Sequence, residues 1–320
     1  MIKLLGKNVM ITGGAGFIGS HLVERIIQES PNKIVVVDNL FLGLEKNLED
    51  AKKHFPSLKF KHQDTSMYEP MLNIIEGEQI EVIFNLAVLP LPLSLKDPRF
   101  VVDINVKMVN VLCDLLRKDY YRTLIHFSSS EAYGSAKITP MNENHPICPE
   151  TPYAASKVAG DYVITSYINT FNIDASIIRP FNNYGPRQNK GSYAGIIPIV
   201  INNAMKEEDI IIFGDGNQTR DFVYVKDTVD AAVKIYENTK TRRKIINIAS
   251  GFETNINKLV RKILSLMNCN TKIIYDRVRP GDVRKHCGDI SLAKELIDFN
   301  PSIISDDHLL ETINWYKIKQ

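Results

Sequence analysis

The chain has 320 residues, 44% hydrophobic and 24% charged, with a formal net charge of +2. That size supports a sizeable core in one large or two closely joined domains, and the balance excludes a disordered chain and gives no electrostatic footprint for nucleic acid. The four cysteines, Cys113, Cys148, Cys269 and Cys287, share no C-x-x-C spacing, which argues against a zinc site or disulfide framework and fits a reducing cytoplasm.

The first residues lack the long apolar run of a signal peptide, and the most apolar later stretch, 87–95, is interrupted by Pro90 and Pro92 and too short to span a bilayer. A cytoplasmic chain without membrane partners is therefore expected. Val9–Ile11 reads as a short strand, followed by Thr12-Gly13-Gly14-Ala15-Gly16-Phe17-Ile18-Gly19. Ile18, Leu22, Val23, Ile26 and Ile27 then recur at helical spacing up to Gln28, and a second apolar strand, Ile34–Val37, ends in Asp38. Strand, glycine loop, helix, strand and acid in this order form the dinucleotide-binding fingerprint. Glycines allow a tight turn and close approach of a pyrophosphate to free backbone amides at the helix start. Asp38 can accept hydrogen bonds from ribose hydroxyls and would repel a 2′-phosphate, which favours NAD over NADP. The competing reading is a plain glycine turn before a helix.

Further strand–helix units follow. Leu58–Phe60 leads to Asp64, Val82–Asn85 leads to Leu86 and Ala87, a long helix is expected over about 99–118, and Thr123–Phe127 is the next strand. Alternation of this kind predicts an α/β fold with a doubly wound parallel sheet, whose ligands bind at the carboxyl ends of the strands. Thr12, Asp38, Asp64, Ala87 and Ser128 all fall at such ends. Tyr153 and Lys157 stand four residues apart, on one face of a helix, just after a hydroxyl- and carboxylate-bearing turn, Ser128-Ser129-Ser130-Glu131. A snorkelling surface pair is the bland alternative. After Pro180 the alternation gives way to short elements: a turn at 184–186, a helix over Ile196–Met205, a turn at 214–217, a helix over Val225–Tyr236 and a last strand, Ile245–Ile248.

Six ordered motifs now stand in the chain: 12–19, Asn85-Leu86-Ala87, 128–134, Tyr153-Ala154-Ala155-Ser156-Lys157, 179–187 and 214–222. Together they resemble the extended short-chain dehydrogenase/reductases of the NAD-dependent nucleotide-sugar epimerase/dehydratase family. The resemblance implies a Rossmann-type domain over 1–179 plus about 225–250, and a smaller mixed domain for the nucleotide sugar over 180–224 and 251–320. It assigns NAD to Gly13, Gly16, Phe17, Ile18, Gly19, Asp38, Asn39, Asp64, Leu86, Ala87, Asn105, Tyr153, Lys157 and Pro180. It makes Tyr153 the acid/base for the hydroxyl on sugar carbon 4, with Lys157 holding the nicotinamide ribose and lowering the tyrosine pKa, and Ser129 sharing a hydrogen bond. Ser130, Phe181, Asn182 and Arg187 fall with the nucleotide-sugar residues, and Arg220 and Arg284 with the diphosphate, whose oxygens suit a planar guanidinium. Pairing of either arginine with Asp221 or Asp282 stays open. A homodimer through the helices near 99–118 and 153–171 is also implied.

Glu131 stands where the resembled 4,6-dehydratases carry the base for the carbon 5 proton, and simple 4-epimerases generally have no acid there. The thymidine-sugar dehydratases carry Asp before that Glu, where this chain has Ser130. The hydroxyl-Ser-Glu pattern looks like guanosine-mannose dehydratases and some N-acetylglucosamine nucleotide dehydratases, and occurs also in uridine-glucuronate decarboxylases. The expectation is a 4,6-dehydratase of a nucleotide hexose, with a 4-epimerase next, then a decarboxylase or 4-keto reductase, and a non-catalytic dinucleotide sensor as the reading from another class.

Overall fold

A computed structural model describes residues 2–191, 194–278 and 283–318. The first half alternates strands and helices: β1 (Asn8–Thr12), α1 (Phe17–Ile27), β2 (Lys33–Asp38), α2 (Glu49–His54), β3 (Leu58–His62), α3 (Tyr68–Gly77), β4 (Val82–Asn85), α4 (Leu91–Ser94), α5 (Pro98–Arg117), β5 (Thr123–Phe127), α6 (Pro152–Phe171) and β6 (Ala175–Pro180). The remainder holds β7 (Asn182–Tyr184), α7 (Ile196–Met205), β8 (Ile210–Phe213), β9 (Thr219–Tyr224), α8 (Val225–Glu237), β10 (Ile245–Ile248), β11 (Glu253–Asn255), α9 (Ile256–Leu266), β12 (Ile273–Asp276), α10 (Ser291–Ile297) and α11 (Asp306–Ile318).

Seven strands form one parallel sheet in the order β3-β2-β1-β4-β5-β6-β10. Every residue of β4, β5 and β6 is buried. Near-continuous apolar runs of this kind belong to strands covered on both faces. One core packs on the side of α1 and α8, around Leu22, Ile26, Val229 and Val233; the other lies under α3, α5 and α6, around Ile75, Leu112 and Ile164. The sheet reverses direction between β1 and β4, and a crevice opens there at the carboxyl ends of the strands.

The chain leaves this sheet after β6, returns through α8 and β10, and leaves again. Its excursions build two small sheets: β7 runs parallel to β9 while β11 pairs antiparallel with it, and β8 pairs with β12. A third core, around Ile201, Ile212, Leu259 and Ile313, joins them to α7, α9 and α11. On that basis we propose 180–224 and 251–320 as the smaller unit. Among the described residues, no helix is long and apolar enough to cross a membrane.

Candidate active site

The turn between β1 and α1 shows why glycine is needed there. Gly13 has φ of +68°, and a Cβ on it would sit 2.8 Å from the Ala87 amide nitrogen. A Cβ on Gly19 would lie 2.2 Å from the Gly13 carbonyl oxygen. The loop, the first turn of α1 and the end of β4 therefore touch backbone to backbone, and no side chain obstructs the amides at the helix start. Asp38, at the end of β2, is buried and accepts hydrogen bonds from the Ala15 amide at 3.0 Å and the Leu40 amide at 2.8 Å. Burial pushes its carboxyl upward while those two donors pull it back.

A cavity of about 300 Å³ follows this edge, walled by Gly13, Gly16, Phe17, Ile18, Gly19, Asp38, Asn39, Asp64, Leu86, Ala87, Tyr153, Lys157 and Pro180. Every cofactor position expected from the sequence lines it except Asn105. That residue stands behind the wall: its side chain accepts from the Leu89 amide at 2.8 Å and donates to the Leu89 carbonyl and the Ser156 hydroxyl. Asn105 thus fixes the loop after β4 against α6. Beneath the cavity Thr12 donates to Asn85, which contacts His126 at 2.9 Å.

Ser129 caps the single 3-10 turn Ser130–Tyr133, its hydroxyl accepting the Glu131 amide at 3.2 Å. Opposite it, α6 begins with Thr151 as cap, accepting the Ala154 amide at 3.1 Å, and Pro152 in the first turn. This start places Tyr153 and Lys157 one turn apart, both lining the crevice. Lys157 Nζ donates to the Phe127 carbonyl at 2.6 Å. Burial lowers Lys157 to about 8, opposed by the charge of Asp161. Burial raises Tyr153 to about 12, opposed by a hydrogen bond with Ser129 and reinforced by the charge of Glu131. The expected lowering of the tyrosine pKa by Lys157 is not what the geometry gives, because desolvation prevails and the ammonium is directed at the Phe127 carbonyl.

A second cavity, of about 650 Å³, meets the first at Val88, Tyr153 and Pro180. Ser129, Ser130, Glu131, Phe181, Asn182 and Arg220 all line it. The other two arginines do not. Arg187 pairs with Glu24 on α1 and faces a separate hollow beside Trp315. Arg284 makes a two-pronged pair with Asp215, at 2.7 and 3.0 Å, on the exposed surface. Asp221 partners neither arginine in this way; buried, it accepts Ser250, Gly251 and Gly288 donors. Asp282, and with it most of the 279–284 run, lies outside the described residues.

Two cavities sharing one tyrosine, one edged by a glycine turn and a buried acid, match what a family model detects in the sequence. The model for the NAD dependent epimerase/dehydratase family matches residues 9–249. The chain belongs to this family. Its members use NAD, and the bare glycine turn, with Asp38 beyond it, fits that cofactor. A putative UDP-glucose 4-epimerase of Methanocaldococcus jannaschii is 34% identical over 311 residues, spanning 97% of this chain and 98% of that protein. A UDP-N-acetyl-alpha-D-glucosaminuronate decarboxylase of Bacillus cytotoxicus is 30% identical over 97% of this chain and 98% of its own length. Among solved structures, a UDP-glucose 4-epimerase of Thermotoga maritima, crystallised with UDP-glucose, superposes with a TM-score of 0.91 at 30% identity, covering 98% of this chain and 99% of that one. The chain is accordingly an NAD-dependent enzyme of nucleotide-sugar chemistry.

Sequence reasoning missed the apolar wall of the larger cavity, formed by Ile196 and Ile197 of α7 and Ile211, Ile212 and Phe213 of β8. The helix over 196–205 is legible as a helix, but no local signal gives the direction in which its start faces. Gln218, inside the 214–222 motif but given no role there, and Asn203, which belongs to no motif, are also in that wall.

Proposed function

We propose that the enzyme oxidises carbon 4 of a nucleotide-diphosphate hexose and then eliminates water across carbons 5 and 6, as a 4,6-dehydratase. The observation that carries this reading is Glu131, whose carboxylate-bearing side chain lines the larger cavity together with Ser129 and Tyr153. Tyr153, hydrogen-bonded with Ser129, takes the proton of the carbon 4 hydroxyl. Lys157, one turn along α6, supplies the positive charge that favours phenolate once the crevice is filled. Gly13, Gly16, Asp38 and Lys157 would hold NAD, which would supply the hydride acceptor for carbon 4 and the hydride for the later reduction. A ketone at carbon 4 acidifies the carbon 5 proton; Glu131 takes it and hands it to the departing carbon 6 hydroxyl, which leaves as water. The resulting 5,6-alkene would take hydride at carbon 6 and, at carbon 5, the equivalent of the proton that Tyr153 removed. Arg220 is the one cationic side chain among the described residues lining the sugar cavity, and we assign it to the diphosphate.

A 4-epimerase is the second reading, supported by the names of the Methanocaldococcus and Thermotoga relatives. Purified protein incubated with UDP-, TDP- and GDP-linked hexoses and N-acetylhexosamines, followed by mass spectrometry, separates the two. Loss of one water from at least one substrate is expected. An inverted configuration at unchanged mass would replace the dehydratase reading with the epimerase. Glu131→Gln is expected to keep the first oxidation and to slow water loss by roughly 10²–10⁴-fold.

A further inference from the structure

We propose that His286 is a positioning residue for Glu131, tying the nucleotide-binding segment of the smaller unit to the catalytic turn. This rests on the reading of Glu131 as the base for the carbon 5 proton. His286 is 1% exposed, and its Nε2 lies 3.3 Å from the Ser130 carbonyl oxygen. A carbonyl only accepts, so Nε2 carries the proton. The imidazole also packs on Phe181, with ring centroids 4.8 Å apart. Ser130 and Phe181 both line the sugar cavity, while His286 stands behind them.

The segment bearing His286 is pinned along its length. The Thr219 amide donates to the Arg284 carbonyl at 3.1 Å, the Met141 amide to the Cys287 carbonyl at 2.8 Å, and the Asp289 amide to the Met141 carbonyl at 2.8 Å. Gly288 donates to the buried Asp221 at 3.1 Å. A Cβ at Gly288 would stand 2.6 Å from Ala249 and 2.9 Å from the Phe181 ring, so the backbone here packs directly on both. Arg220 is one residue before Asp221 and one after Thr219. The chain that faces the diphosphate is thus held rigidly to the chain that holds His286, and His286 holds the carbonyl next to Glu131. Burial keeps the imidazole neutral, lowering it to about 4, so its single N–H stays committed to Ser130. The turn is a short one, held locally by the Ser129 cap and by the Ala132 and Gly134 amides donating to the Ser129 and Glu131 carbonyls, and a small displacement of a catalytic group is costly.

The test compares His286→Phe, which keeps a ring against Phe181 and deletes the N–H, with His286→Gln, which restores a donor. For wild type and both variants, turnover, KM, product mass, enzyme-bound reduced nicotinamide and thermal midpoint are measured with the substrate found in the panel. His286→Phe is expected to lower kcat about tenfold with KM little changed, and to accumulate reduced nicotinamide because the step after carbon 4 oxidation is slowed. His286→Gln is expected to recover most of the rate. Wild-type turnover in His286→Phe overturns the proposal. So does a loss of the first oxidation equal to the loss of turnover, or a loss that tracks the thermal midpoint and is not recovered by Gln. Should the wild-type product keep the mass of the substrate, the dehydratase reading fails by itself, whereas the ratio between Phe and Gln variants still decides whether His286 orders the turn.

Discussion

Lys157 carries its charge deep in the protein, against the Phe127 carbonyl and within reach of Asp161. The sign of its contribution follows from its folded pKa of about 8, below the ordinary 10.5. Between those values the unfolded lysine holds a proton that the folded one has shed, so stability rises with pH through that window. Tyr153 acts in the opposite sense. Its folded value of about 12 exceeds the ordinary 10.0, so above pH 10 the unfolded phenol ionises first and stability falls. The net gain is therefore confined to about pH 8 to 10. Relative to Lys157→Met, the cofactor-stripped wild type is expected to gain roughly 3 kcal/mol across it, read by urea unfolding at a series of pH values. Turnover, which needs the ammonium, is expected to fall over the same interval. A stability difference independent of pH would mean that Lys157 is not desolvated.

The same helix is anchored to the sheet by a buried ion pair. Arg179 on β6 donates through Nε and Nη2 to Asp161 on α6 at 3.0 and 2.8 Å, with both side chains less than 5% exposed. Its guanidinium also lies 4.8 Å from the centroid of Tyr133, in the catalytic turn. Asp161→Ala strands a buried cation and is expected to cost about 3–5 kcal/mol in denaturant unfolding. Adding Arg179→Met should return much of that loss; a double variant as unstable as the single one would show that packing, not charge, is at stake. Such cross-element partners mark the limit of what the sequence discloses. β1, α1, β2, β5 and α6 are legible because their apolar periodicity, glycine turn and Thr151 cap are local. So is the gathering of Thr12, Asp38, Asp64, Ala87 and Ser128 at one crevice, which follows from parallel strands alone. The sheet of β7, β9 and β11 is not, since it pairs Arg220 with Thr254 through strands of three to six residues. Arg187 reads as a nucleotide-sugar residue and Arg284 as a phosphate ligand in sequence, yet each meets a carboxylate far along the chain, Glu24 and Asp215. No spacing rule anticipates that competition.

At the scale of the molecule, α5 and α6 lie side by side over one face of the sheet and present their outer surfaces to solvent. The inward face of α6 holds Ala154, Ser156, Lys157, Gly160, Asp161 and Ile164. Its outward face offers Ala155, Tyr162 and Ser166, with Val158 and Ala159 half-buried at the margin, and Val102 and Val106 of α5 are half-buried beside it. Tyr162 is 62% exposed. Small and apolar side chains on two adjacent twenty-residue helices suit close packing against the same pair on a second copy, in a two-fold arrangement. We expect a homodimer on this face, with each protomer burying on the order of 800 Å². Tyr162→Arg would set like charges against each other across the axis and is expected to yield monomers, measured by size-exclusion chromatography with light scattering. Ser129, Glu131, Tyr153 and Lys157 face the cavities and not this outer surface, so the monomeric variant is expected to keep the wild-type turnover per chain. A wild-type protein that is monomeric at micromolar concentration would remove the basis for this face as an interface. Loss of turnover with loss of the dimer would instead mean that the partner steadies α6, and with it Tyr153 and Lys157.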